Sequence, residues 1–164
     1  MSAADTTVHA SAVLIGDRAV LIRGPSGSGK SRLAFGLILA GRARQIPAAI
    51  LIGDDRVHLD RQGDTLTVRP AAALSGLIEL HGLGIRRIDH AAHAAVGLVV
   101  DLAACDAARL PESDATHVIV GGVRLPRIPG AAGHDALPLV MAAIITSAWH
   151  SDRDAIGDCA DGLR

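Results

Sequence analysis

Ala19-Val20-Leu21-Ile22-Arg23-Gly24-Pro25-Ser26-Gly27-Ser28-Gly29-Lys30-Ser31-Arg32-Leu33-Ala34-Phe35-Gly36-Leu37-Ile38-Leu39-Ala40 joins an aliphatic run, a glycine-rich loop and a stretch of helical apolar spacing. The loop, Gly24 to Ser31, matches the phosphate-loop pattern G-x-x-x-x-G-K-[ST] at every fixed position. Its glycines let the chain wind tightly and turn successive N–H groups onto an anion at a helix N-terminus. Lys30 is the only lysine in the chain; the other fifteen cations counted as Lys or Arg are arginines. A compact ammonium reaches phosphate oxygens where a wide, planar guanidinium does not fit, and the Ser31 hydroxyl can ligate Mg²⁺. A flexible surface turn would account for the glycines alone. It does not account for a strand before them and a helix after them.

Working outward, 164 residues suit a single domain (1–164) with a sizeable core. The apolar residues are Ala, Val, Leu and Ile, with one Phe, one Trp and no Tyr, as fits buried strands of an α/β fold. A net charge of −1 gives no electrostatic pointer to nucleic acid or an anionic membrane, and aromatic base-stacking platforms are missing. No apolar run approaches a membrane span, and the first residues lack an export signal, so the expected setting is cytoplasmic. Cys105 and Cys159 stand alone, reading as reduced thiols rather than a disulfide or zinc site.

Val13–Ile15 and Ala19–Ile22 flank Gly16-Asp17-Arg18 and read as a hairpin feeding the loop. Gly41 stands where the first helix would be capped. Ala48–Gly53 reads as a buried strand ending at Asp54-Asp55, and Val57–Leu59 with Leu66–Val68 as a second hairpin. Leu77–Leu80, Val96–Leu102 and Thr116–Val120 are further extended segments. From Asp135, a plausible N-cap, to about Trp149 the spacing is helical, with Pro138 in the first turn. The expectation is a mixed sheet with two helices.

Phosphoryl transfer needs positioning, charge neutralisation and a group that orients or deprotonates the nucleophile. Asp54 and Asp55 follow a buried strand, and neighbouring side chains on extended backbone point apart. One could face a metal and the other an acceptor. Asp101, ending Val96–Val100, is an equal rival by spacing. Glu79, among apolar neighbours, is either a metal ligand or a solvent-facing strand residue.

These segments resemble the catalytic domain of bacterial HPr kinase/phosphorylase. His9 precedes the loop at the family's spacing, followed by Leu51-Ile52-Gly53-Asp54-Asp55-Arg56-Val57 and Ile78-Glu79-Leu80-His81-Gly82-Leu83-Gly84-Ile85, close to the I-E-x-R-G-L-G-I signature. Leu125-Pro126-Arg127-Ile128-Pro129-Gly130 lies near the family's basic loop. The resemblance spans about His9 to Trp149 and favours the Asp54-Asp55 pair over Asp101. It implies a P-loop kinase domain of mixed sheet and β-hairpins, HPr kinase/PEP carboxykinase-like in fold. It also implies ATP and Mg²⁺ as cofactors.

The implied activity is transfer of phosphate to a serine of HPr, the phosphocarrier of the sugar phosphotransferase system, with phosphorolysis as the reverse reaction. By carry-over Asp54 is the acid–base residue, Asp55 supports it, and His9 lies near the phosphates. Ser31, Glu79 and Asp55 face the metal, and Gly24, Pro25, Ser26, Gly27, Ser28, Gly29, Lys30 and Ser31 hold the nucleotide. The resemblance further implies a homo-oligomer, the family's hexamer, and a short form without the N-terminal regulatory domain. The chain departs from the family at His81, where the signature has Arg, and at Gly130-Ala131-Ala132-Gly133, where Arg-Asn is usual. Both departures bear on phosphorolysis and HPr docking more than on nucleotide binding. The alternatives are a phosphate-loop kinase for another protein or a small molecule, and a nucleotide-binding sensor with little turnover.

Overall fold

The computed structural model describes residues 7–147. Strand β1 (Thr7–Ile15) turns through Gly16 and Asp17 into β2 (Arg18–Arg23), and helix α1 spans Lys30–Arg42. Next come β3 (Ala49–Gly53), β4 (Arg56–Gln62), β5 (Thr65–Pro70), β6 (Leu77–Leu80), β7 (Gly84–Arg87) and β8 (Ala94–Asp101). β9 (His117–Val120), β10 (Val123–Pro129) and helix α2 (Leu137–Ile145) complete the order.

β1 is the organising strand. Its first residues, Thr7 to His9, pair with β4, while Ala10 to Ile15 pair with β2 on one side and Ala12 to Ile15 with β3 on the other. β8 plays the same double part, antiparallel to β5 at its start and parallel to β2 and β10 at its end. The sheet therefore bends into two layers that share β1 and β8. β6 and β7 form a separate two-stranded hairpin.

Alternation along β1 and β2 splits the core in two. Val13, Ile15, Val20 and Ile22 pack with Leu33, Leu37 and Ile38 of α1 and Val140 of α2. Ala10, Ala12, Ala19 and Leu21 face the other layer, meeting Val57, Leu66, Val68 and Val99. Each fully buried Leu, Ile or Val contributes about 1.5–3 kcal/mol. The result is the mixed-sheet α/β fold that the aliphatic composition called for.

Four local features differ from the sequence reading. α1 runs through Gly41 to a C-cap at Ala43, and Arg44 takes the positive φ (60°). Gly41 serves close packing instead: a Cβ there would lie 2.7 Å from both the Cβ and the backbone N of Ala49. Residues 125–130, expected as a loop, largely belong to β10, because β8 and β9 offer ladder partners on both sides. α2 begins one residue after an N-cap at Ala136, yet Asp135 still accepts the Leu137 N–H at 3.0 Å. The helix ends at Ile145 with an extended C-cap at Thr146, short of the expected reach to about Trp149, a residue outside the described ones.

Candidate functional site

The loop leaves β2 at Gly24 and enters α1 at Lys30, with Gly24, Gly27 and Gly29 at positive φ (151°, 77° and 97°). Gly29 is the N-cap of α1, with no side-chain cap and no acidic residue in the first turn. Free N–H groups and the positive end of the helix dipole therefore converge on the loop. Inside it the Ser28 hydroxyl is buried without a hydrogen-bond partner among the described residues. An uncapped helix start, a glycine cradle and an orphaned hydroxyl together fit a phosphate group.

Lys30 is buried, and its Nζ donates to the carbonyls of Gly24 (2.9 Å) and Pro25 (3.1 Å). Burial lowers its pKa, against the opposing charges of Asp54 and Asp55. Beside it the Ser31 hydroxyl donates to Asp54, 2.8 Å from Oδ1 and 2.9 Å from Oδ2. Asp54 is only 3% exposed, and it also accepts from the Ser11 hydroxyl (2.6 Å) and the Glu79 N–H (3.1 Å). A carboxylate bound to the loop serine is the arrangement that positions a hydroxyl to ligate Mg²⁺.

Asp55 is placed differently. The chain does not run extended through it: φ is +66°, and the Arg56 N–H closes back on the Asp54 carbonyl at 2.8 Å. Non-glycine residues rarely adopt this conformation, and it clusters at functional sites. The turn sends the Asp55 carboxylate outward, 61% exposed, where its Oδ1 lies 3.2 Å from His9 Nε2. His9 and Ser11, two apart on β1, meet the two aspartates separately.

His9, Lys30, Ser31, Asp55, Glu79 and His81 line one cavity of about 760 Å³. A second, of about 830 Å³, lies across the loop between α1 and residues 131–137. Ser26, Gly27, Gly29, Arg32 and Phe35 border both. The expected site residues thus come together, whereas Asp101 is bound by Arg23 and Arg127. Among the described residues no group of three or more His, Cys, Asp or Glu is arranged to hold a metal. Ser31, Asp54 and Glu79 supply hard oxygen donors, which suits an ion that phosphate oxygens and water complete.

The sequence reading missed Ser11, Arg32 and Phe35. Ser11 carried a usable signal: it is polar, inside an apolar strand and in phase with His9. Arg32 and Phe35 carried none, since a cation and an aromatic on a helix are ordinary.

Fold and site define a phosphate-loop domain of the mixed-sheet α/β class. The chain belongs to the HPr Serine kinase C-terminal domain family, whose model matches residues 1–152. It is 31% identical over 157 residues to an HPr kinase/phosphorylase of Neisseria meningitidis, covering 87% of this chain and 47% of that protein. It is 33% identical over 155 residues to one of Lactococcus lactis, covering 85% and 47%. The chain thus spans about half the length of the curated relatives it matches. The solved HPr(Ser) kinase/phosphatase of Coxiella burnetii has the same fold, with a TM-score of 0.66 over 84% of this chain and 87% of that one at 23% identity. Nucleotide use comes with the family. No helix of the described residues is long and apolar enough to cross a membrane.

Proposed function

We propose that this domain is an ATP- and Mg²⁺-dependent kinase that phosphorylates a serine of the phosphocarrier HPr. The observation that carries the reading is the division of labour between adjacent aspartates. Asp54 is buried against the Ser31 hydroxyl, while Asp55 opens with His9 into the cavity that Lys30 also lines. Bound Mg²⁺ would neutralise charge on the β- and γ-phosphates, held by Ser31 and Asp54 with Glu79 nearby. Lys30 leaves the Gly24 and Pro25 carbonyls for the phosphates. Asp55 accepts the proton of the serine hydroxyl; the serine oxygen bonds to the γ-phosphorus as the bridging bond to ADP breaks. His9 orients Asp55. This exchanges the roles that the resemblance implied, because a carboxylate tied to the metal-side serine is poorly free to take a proton.

In phosphorolysis an oxygen of inorganic phosphate attacks the phosphoserine phosphorus and forms pyrophosphate as the P–O bond to serine breaks; Asp55 takes the proton of the attacking phosphate and passes it to the leaving serine oxygen. His81 lines the same cavity, at the position where the family signature has Arg. A cytoplasmic setting and a homo-oligomeric assembly belong to the same reading. Exposed Leu83 and Ile85 on the β6–β7 hairpin offer apolar surface for an oligomer contact.

The test is incubation of the purified protein with Mg-ATP and the HPr of its source organism. Phosphoserine on HPr is expected. ATP bound with no transfer would refute the HPr reading. It would favour a phosphate-loop kinase for another acceptor, to which residues 130–133, lacking basic side chains, also lean.

A further inference from the structure

Asp101 ends an aliphatic strand just as Asp54 nearly does, but its carboxylate is wholly engaged by two arginines. Oδ1 accepts Nε of Arg23 at 2.7 Å and Oδ2 accepts Nη2 at 2.8 Å, a bidentate fork; Oδ2 also accepts Nε of Arg127. Arg127, only 12% exposed, gives its remaining nitrogens to Asp106 and to the Ala115 carbonyl. Two guanidiniums and two carboxylates sum to zero charge, so the group is a brace and not an anion site. The brace ties together the ends of three neighbouring parallel strands, β2, β8 and β10.

Both loops that wall the 830 Å³ cavity start at those ends. The phosphate loop begins at Gly24, directly after Arg23, and the segment 131–137 follows Gly130, directly after β10. The backbone at the junction is equally shared. Leu102 N–H donates to the Arg23 carbonyl (2.8 Å), Gly130 N–H to the Asp101 carbonyl (2.8 Å), and Ala104 N–H to the Gly130 carbonyl (2.9 Å). Only glycine fits at 24: a Cβ added to it would meet Leu102 Cβ at 3.0 Å and Ser28 Oγ at 2.7 Å. A shift at Leu102 is passed through its N–H bond to the Arg23 carbonyl and so to the next residue, Gly24, whose own carbonyl anchors Lys30.

We propose that Asp101 is a positioning residue for nucleotide binding: by holding Arg23 and Arg127 it sets the separation of Gly24 and Gly130, and so the shape of the cavity between the two loops. The inference rests on the reading of this site as a nucleotide site. An asparagine at 101 would turn an N–H toward a guanidinium N–H, leaving Arg127 with Asp106, a carboxylate 44% exposed, and taking from Arg23 the carboxylate that holds its fork. Strand pairing survives on its backbone bonds. The relative placement of the loops does not.

The experiment is calorimetric titration of Mg-ADP into the whole chain well below its melting temperature, beside steady-state kinetics in ATP. Asp101→Asn should raise Kd and KM about tenfold with kcat at saturation within twofold. Asp106→Ala, which removes only the exposed outer partner, should change Kd less than twofold. Arg23→Lys keeps the charge and loses the fork. It should raise Kd about threefold, and it decides the matter if Asp101→Asn does not fold. Wild-type Kd in Asp101→Asn, or in Arg23→Lys should that variant alone be folded, would overturn the proposal and leave Asp101 a structural brace only. Failure of the wild-type chain to bind Mg-ADP would instead overturn the nucleotide reading, and this inference with it.

Discussion

Replacing Asp54 by asparagine exchanges one oxygen for an NH₂ and removes one charge, and the structure limits how the site can respond. Oδ1 accepts the hydroxyls of Ser11 and Ser31, and Oδ2 accepts the Ser31 hydroxyl and the Glu79 N–H. If the amide nitrogen takes the Oδ2 place, the Glu79 N–H faces another donor. If it takes the Oδ1 place, the buried Ser11 hydroxyl loses its acceptor. A buried donor left without a partner costs about 1–3 kcal/mol in either orientation. At roughly 2–4 °C per kcal/mol for a chain of this size, melting should fall by roughly 2–12 °C. The lost charge acts separately on the metal, because a neutral amide is a weaker partner for Mg²⁺ than a carboxylate. ADP with excess chelator should therefore bind wild type and variant alike, whereas the gain in affinity on adding Mg²⁺ should largely vanish in the variant. Differential scanning calorimetry and paired titrations with and without Mg²⁺ read the two effects independently. Unchanged melting together with an undiminished Mg²⁺ effect would refute both the hydrogen-bond accounting and the metal-side position of Asp54.

Asp55→Asn leaves Asp54 and the loop intact, so phosphotransfer should fall by about 10²–10⁴-fold, the range of a general base, while Mg-ADP affinity stays within twofold by titration. Gly41→Ala reverses the usual sign: alanine in a helix interior ordinarily stabilises by about 1 kcal/mol, but contact with Ala49 should instead destabilise by about 1–3 kcal/mol, seen as a lower urea midpoint. Burial alone would raise the Asp101 pKa; the hydrogen bonds and charges of Arg23 and Arg127 outweigh it and hold the value below the ordinary 3.8. A carboxyl depressed in the folded state stabilises above its unfolded value and loses that contribution as pH falls through the folded one. Melting temperature between about pH 5 and pH 2 should thus drop more steeply in wild type than in Asp101→Asn.

Much of the fold was legible because it is written locally. Gly16-Asp17-Arg18 between aliphatic runs marked the first hairpin, and the glycines with Lys30 marked the strand–loop–helix junction. What escaped depended on partners distant in sequence. Gly41 looks like a cap until Ala49 is seen packed against it, and Leu125–Gly130 looks like a basic loop until β8 and β9 are seen on either side. Pro126 stands opposite His117 of β9, and pairing with β8 begins only at Arg127.

The site shows the same boundary between local and distant information. Asp54 and Asp101 follow aliphatic strands of similar composition, and spacing alone left them equivalent. Register separates them. Across the parallel β2–β8 ladder Asp101 stands opposite Arg23, and Arg127 arrives from β10 on the other side. Those two arginines lie 78 and 26 residues away along the chain. Asp54 instead meets the neutral hydroxyls of Ser11 and Ser31, 43 and 23 residues away. A carboxylate already matched by two guanidiniums has no excess negative charge for a divalent cation; one hydrogen-bonded by hydroxyls, with the single ammonium of Lys30 nearby and shared with Asp55, keeps more of it. An acid at a strand end is therefore ambiguous until its counter-charge is located, and in this chain the arginines that take Asp101 out of metal binding leave Asp54 as the strand-end carboxylate beside the phosphate loop.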